Sequence, residues 1–216
     1  MLYRPLQAQY LQEIILKALF LHGLASSGAF KTAASLHHLL RPCDVISPDI
    51  PIDPDEALGM LEAICNEEHP DLVVGHSMGG FWAQMLRGYR KILINPAFHP
   101  SEIMRTMTGE VKYLSPRRDG ALSFTISEDL CDRYLALEQH QFNGIVSTEI
   151  SMTRAMFADQ DEIVNCLEEF ESHYPGCSVR YHGRHIPSHP ELKSVLVQIA
   201  SDLCANFDNI FVTMVN

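Results

Sequence analysis

Positive charge is scarce in this chain: 16 Lys and Arg stand against 27 Asp and Glu, a formal net charge of −11. That balance disfavours a nucleic-acid backbone or an anionic membrane surface as the main partner, since both would repel it. Paired cysteines are lacking too. Cys43, Cys65, Cys131, Cys166, Cys177 and Cys204 are scattered, with no CxxC among them. They make neither a thiolate zinc site nor a disulfide framework, so reduced, mostly buried thiols in a cytoplasm are expected. No apolar run reaches the roughly 20 residues that a membrane-spanning helix needs. The nearest approach is Ile14-Ile15-Leu16 and Ala18-Leu19-Phe20-Leu21 before Ala25-Ser26-Ser27, which loosely imitates a secretory leader. Lys17 breaks that run, the segment before it is long and polar, and cleavage would remove a loop that the chemistry below requires, so a leader is not expected. Internal repeats and low-complexity linkers are absent as well. A length of 216 residues with 46% hydrophobic content is enough for one domain, 1–216, to bury its own core.

What is present is alternation. Short apolar runs at 16–21, 43–47, 71–75, 91–95, 149–157 and 178–182 read as strands, and helical spacing occupies 29–40, 80–87, 162–173 and 190–206. A further helix follows Asp53-Pro54, with Asp53 as its N-cap, Pro54 at its first position and Ala57, Leu58, Leu61 and Ile64 as its buried stripe. Continuously apolar strands separated by helices predict an α/β chain whose mostly parallel central sheet is flanked by helices. The pattern weakens over 97–144, where helices near 101–107 and 128–141 flank turn residues at 115–120. This segment is predicted to be a helical insertion over the active site. Its Ile103, Met104, Met107 and Tyr113 are either an apolar wall for substrate or ordinary core. Residues 209–216 read as an edge strand or a contact with a second subunit, which leaves a homodimer open.

The chemistry-bearing residues lie at the ends of these strands. Gly75-His76-Ser77-Met78-Gly79 follows an apolar strand and opens a helix. A serine hydroxyl is a weak nucleophile, and the G-x-S-x-G turn presents it at a corner where flanking side chains have no room. His22-Gly23-Leu24 ends the first strand, the place from which a second oxyanion donor would come. The backbone N–H groups of Leu24 and Met78 are therefore the expected oxyanion hole, with His22, Gly23 and His76 beside the substrate. His22 reads better as a residue holding its loop by hydrogen bonds than as a reacting group. Downstream, Ala158-Asp159-Gln160-Asp161 places a carboxylate after a strand, and Asp161 is favoured over Asp159 as the acid. Tyr181-His182-Gly183-Arg184-His185 supplies the base, His185. Three histidines within eight residues, His182, His185 and His189, also raise a zinc site, but no acidic ligand spacing accompanies them.

Phe20-Leu21-His22-Gly23-Leu24-Ala25-Ser26-Ser27, Pro48-Asp49-Ile50-Pro51, Val74-Gly75-His76-Ser77-Met78-Gly79-Gly80-Phe81 and Ile94-Asn95-Pro96-Ala97 together resemble the short YqiA-like bacterial esterases of the α/β-hydrolase superfamily. The resemblance covers most of the chain and is thinnest over 97–144. It implies the α/β-hydrolase fold, esterase or thioesterase activity on a small-molecule ester or thioester, no metal or organic cofactor, and a Ser77, Asp161, His185 triad. Two departures stand out: Gln160-Asp161-Glu162 replaces the family's Gly-Asp-Glu, and His182-Gly183-Arg184-His185 replaces its Gly-Gly-x-His. A hydrolase-shaped binding protein without turnover is the reading from another class.

Overall fold

The structure is a computed structural model that describes residues 16–203. In chain order its elements are β1 (Lys17–Leu21), α1 (Lys31–Leu39), β2 (Asp44–Ile46), α2 (Pro54–Glu68), β3 (Leu72–His76), α3 (Met78–Met85), β4 (Arg90–Ile94), α4 (Pro100–Arg105), β5 (Gly109–Lys112), β6 (Ser123–Ile126), α5 (Glu128–Glu138), α6 (Ser147–Met152), β7 (Thr153–Ala158), α7 (Leu167–His173), β8 (Ser178–Tyr181) and α8 (His189–Leu203). Six strands form one sheet in the order β2-β1-β3-β4-β7-β8, and every neighbouring pair in it is parallel.

Period-two alternation divides the sheet's side chains between two cores. Ala18, Phe20, Val74, Ile92, Ile94 and Met156 pack on one face with Ala33 and Leu36 of α1 and Leu192, Val195, Leu196 and Ile199 of α8. Leu19, Leu21, Val73, Leu93, Ala155 and Phe157 face the other way, against α2, α3, α5 and α7. Each such fully buried large side chain contributes about 1.5–3 kcal/mol, so both faces hold the strands in register. Asp53 caps α2 as expected, its Oδ1 accepting from the Asp55 and Glu56 amides at 3.0 and 3.2 Å. Chain direction across the sheet reverses between β1 and β3, which opens a crevice at their C-terminal ends where ligands of open α/β sheets bind.

Three segments depart from the sequence expectation. The segment 97–144 is not purely helical, for it contains the antiparallel hairpin β5–β6. The strand expected from Glu149 begins at Thr153. Residues 147–152 form α6 instead, because the Glu149 carboxylate is drawn inward to the Gly88 amide (2.5 Å) and the Lys91 ammonium (2.9 Å). The helix expected from Glu162 begins at Leu167, since the Asp161 side chain takes the Ile163 and Val164 amides (2.8 and 3.0 Å) and holds that stretch as a turn. The tail at 209–216 and the last turn of the helix expected over 190–206 lie outside the described residues. Among the described residues no helix is long and apolar enough to cross a membrane.

Candidate active site

β3 runs straight into Ser77, which caps α3 with φ 57° and ψ −124°. A non-glycine residue there costs about 1–3 kcal/mol in backbone strain, and the surroundings enforce it. The Ser77 amide donates to the Ile94 carbonyl at 3.0 Å, while its carbonyl accepts from Gly80 and Ala97 at 2.7 and 3.0 Å. The flanking glycines are required by space: a Cβ on Gly75 would stand 2.2 Å from the Gly79 carbonyl oxygen, and one on Gly79 would stand 1.9 Å from that of Leu21. The corner therefore points the half-buried Ser77 side chain away from the sheet.

Its hydroxyl meets an imidazole. Ser77 Oγ lies 2.9 Å from Nε2 of His185, and His185 Nδ1 lies 2.8 Å from Oδ2 of Asp161. Asp161 accepting from Nδ1–H leaves Nε2 free to accept the serine proton. Burial opposes ionisation of Asp161, but the His185 hydrogen bond and the amides of Val164 and Ile163 outweigh it and hold the carboxyl below its usual range. His185 is 5% exposed, so its ring has little freedom to turn away. Asp159, the rejected alternative, faces outward to the exposed His182 (3.0 Å) and the Gly183 amide (3.2 Å).

The three histidines raised as a zinc site are held apart. His182 pairs with Asp159, His185 with Ser77 and Asp161, and the His189 ring lies 5.5 Å from that of His38. Among the described residues no group of three or more His, Cys, Asp or Glu converges to hold a metal.

Leu24, Met78, Gly23 and His76 all line a cavity of about 310 Å³ in front of Ser77. Leu24 and Met78 carry backbone N–H groups that make no hydrogen bond within the described chain. Met78 heads α3, where first-turn amides are unpaired and the helix dipole favours negative charge. His22 does not line this cavity. Its Nδ1–H donates to the Gly23 carbonyl (2.8 Å) and its Nε2 accepts from the Ile50 amide (2.9 Å); burial pushes its pKa down to about 4. It is a neutral pin between two loops, in the recess next to this cavity, which fits the loop-holding reading of His22. His76 is also neutral, pushed down to about 4 by burial and then by nearby His185, and its Nε2–H donates to the His185 carbonyl at 2.9 Å.

Asn95 entered the sequence reading only as part of a motif, with no role of its own. Fully buried with φ 43°, it donates through Nδ2 to the Tyr181 hydroxyl (2.8 Å) and the His185 carbonyl (2.8 Å), and its Oδ1 accepts from the Ala158 amide (2.8 Å). One side chain thus joins the end of β7, which leads into the turn bearing Asp161, to the loop bearing His185. A polar residue closing the apolar β4, just before Pro96, was the available signal. The hairpin was missed as well: Val111, Lys112 and Leu114 line the cavity with Ile103 and Met107, whereas Met104 is buried in the core and Tyr113 lies in the neighbouring recess beside His22.

A parallel six-stranded sheet with a serine corner at its reversal point and a histidine behind the last strand defines the α/β-hydrolase class. Solved structures of that fold include Est1E from Butyrivibrio proteoclasticus, to which this chain is similar at 16% identity over 87% of this chain and 89% of that one, with a TM-score of 0.57. A marine microorganism esterase gives 14%, 88%, 96% and 0.58, and the type II thioesterase BorB from the borrelidin biosynthetic cluster gives 18%, 88%, 92% and 0.53. No curated protein matches the chain significantly. The model of the uncharacterised protein family UPF0227 matches residues 17–173, and the chain belongs to that family, the YqiA-like branch of the superfamily.

Proposed function

We propose that the protein is a serine hydrolase that cleaves carboxylic esters through an acyl-enzyme. The carrying observation is the unbroken relay from Ser77 Oγ to His185 Nε2 (2.9 Å) and from His185 Nδ1 to Asp161 (2.8 Å), opening on an apolar cavity. In this reading Ser77 attacks the acyl carbon and His185 takes its proton. Asp161 steadies the imidazolium, and the Leu24 and Met78 amides bind the oxyanion. Collapse of the tetrahedral adduct expels the leaving group, protonated by His185, and water repeats the sequence to release the acid. The same apparatus serves an oxygen or a sulfur leaving group, and the fold is shared with structures described as an esterase and a thioesterase. The cavity is of a size that holds a small ligand. Purified protein is expected to hydrolyse members of a panel of p-nitrophenyl esters and acyl thioesters, and Ser77→Ala to lower kcat by about a millionfold. A folded wild type inert across the panel would favour a binding protein built on this fold.

A further inference from the structure

The motif Pro48-Asp49-Ile50-Pro51 has no part in the chemistry above, yet Asp49 sits where three loops meet. Its Oδ1 accepts from the Gly28 amide at 2.7 Å and its Oδ2 from the Arg118 amide at 2.6 Å. Gly28 belongs to the loop that begins at His22 and carries Leu24. Arg118 belongs to the 113–122 connection of the hairpin whose Val111, Lys112 and Leu114 line the cavity. Each carboxylate oxygen therefore holds one wall of the site.

Neighbouring contacts run the same way. A Cβ on Gly28 would stand 2.0 Å from the Ser47 carbonyl oxygen, so the loop lies directly on the residues before Asp49. His22 fixes the same loop to Ile50. On the hairpin side, the Arg118 guanidinium donates to the Ser47 carbonyl (2.6 Å) and Arg117 to that of Ile50 (3.2 Å). The Leu114 amide donates to the Ala25 carbonyl (2.7 Å), and the Ser27 and Ser115 hydroxyls share a hydrogen bond of 2.8 Å.

We propose that Asp49 is a positioning residue that sets the oxyanion-side loop and the hairpin wall of the acyl cavity in a single geometry, coupling rate to acyl-chain selection. The proposal rests on the hydrolase reading. An amide at this position keeps one acceptor oxygen and cannot take both N–H groups, so Asp49→Asn releases one wall while preserving shape. Two quantities then change together. kcat on p-nitrophenyl acetate, whose acyl group is too short to need the hairpin, falls by about tenfold or more as the Leu24 amide drifts from the oxyanion. The ratio of kcat/KM for p-nitrophenyl hexanoate over acetate also falls, because the hairpin wall loosens. A purely structural role for Asp49 would lower the melting temperature and leave kcat per folded molecule and that ratio untouched, and this result would overturn the proposal. Should Asp49→Asn fail to fold, Ser115→Ala removes the direct Ser27–Ser115 link between the same two walls. It is expected to raise KM for hexanoate several-fold more than for acetate, and equal changes would contradict the coupling. If the wild type hydrolyses neither ester, the hydrolase reading itself has failed, an outcome distinct from an active wild type matched by an equally active Asp49→Asn.

Discussion

The corner that carries Ser77 and the segment 97–144 are built by different physics. At the corner, close backbone approach and buried neutral hydrogen bonds leave one arrangement: Gly79 against Leu21, His76 and Asn95 on the His185 carbonyl, and Ser77 held by Ile94 and Ala97. Over 97–144, half-exposed ion pairs are added to the buried side chains of Phe98, Met104, Leu130 and Tyr134. Arg105 meets Glu128 and Asp132 (2.8 and 2.6 Å), and Arg133 meets Asp53 (2.7 Å) of α2. Leu114 and Leu122 stand exposed at the hairpin's end. Exposed ion pairs of this kind are each worth about 0–1 kcal/mol, far less than a backbone collision. The difference teaches that Ser77 sits where backbone sterics and buried hydrogen bonds fix the chain, while the hairpin beside the cavity is held by hydrogen bonds and ion pairs nearer the surface.

Several measurements break or sharpen that contrast. The largest effect is expected at the relay: Asp161→Asn should lower kcat by about 10⁴, because the imidazole loses the partner that fixes its tautomer, while Asp159→Asn, out with His182, should change little. Steady-state kinetics on one p-nitrophenyl ester compares them, and the reverse ranking would exchange the acid. Next come two glycines. Gly79→Ala drives a methyl into the Leu21 carbonyl and should cost about 3 kcal/mol or more. Gly120→Ala, in open space within 97–144 but with φ +76°, should cost only about 1–2 kcal/mol of left-handed strain. Urea unfolding of both variants measures the gap, and equal losses would remove the distinction between the regions. The smallest effect concerns His99, raised from 6.5 to about 10 by the Glu138 carboxylate 3.8 Å from its Nδ1 and then by the 2.8 Å hydrogen bond from its Nε2 to Glu169. A folded value above the unfolded one means stability fully present below pH 6.5 and lost as pH rises through about 10. The stability difference between wild type and His99→Gln should therefore be larger at pH 6 than at pH 10 by urea titration. A pH-independent difference would mean that His99 acts by packing alone.

Legibility in the sequence follows the same division. The elbow could be read because its sterics are written in residue identity: glycines at 75 and 79 after an apolar strand leave few other structures. Asp161 lies beside His185 even though Gln160 stands where the family has glycine, because the carboxylate is positioned by the amides of Ile163 and Val164 and not by the preceding residue. The hairpin was hidden because each of its strands has only four residues, too few for a period-two pattern to stand out, and a ten-residue connection separates them. α6 was hidden because its cause, the pull of Lys91 and Gly88 on Glu149, spans some sixty positions of sequence. Asn95 and Asp49 share that character, since each joins segments that only folding brings together.

The account depends above all on Ser77 being a nucleophile activated by His185. Incubation with a fluorophosphonate followed by peptide mapping in a mass spectrometer tests this directly. The expected result is a single adduct on Ser77 in the wild type and none in Ser77→Ala. A folded wild type that stays unmodified, or an adduct on another residue, would contradict it.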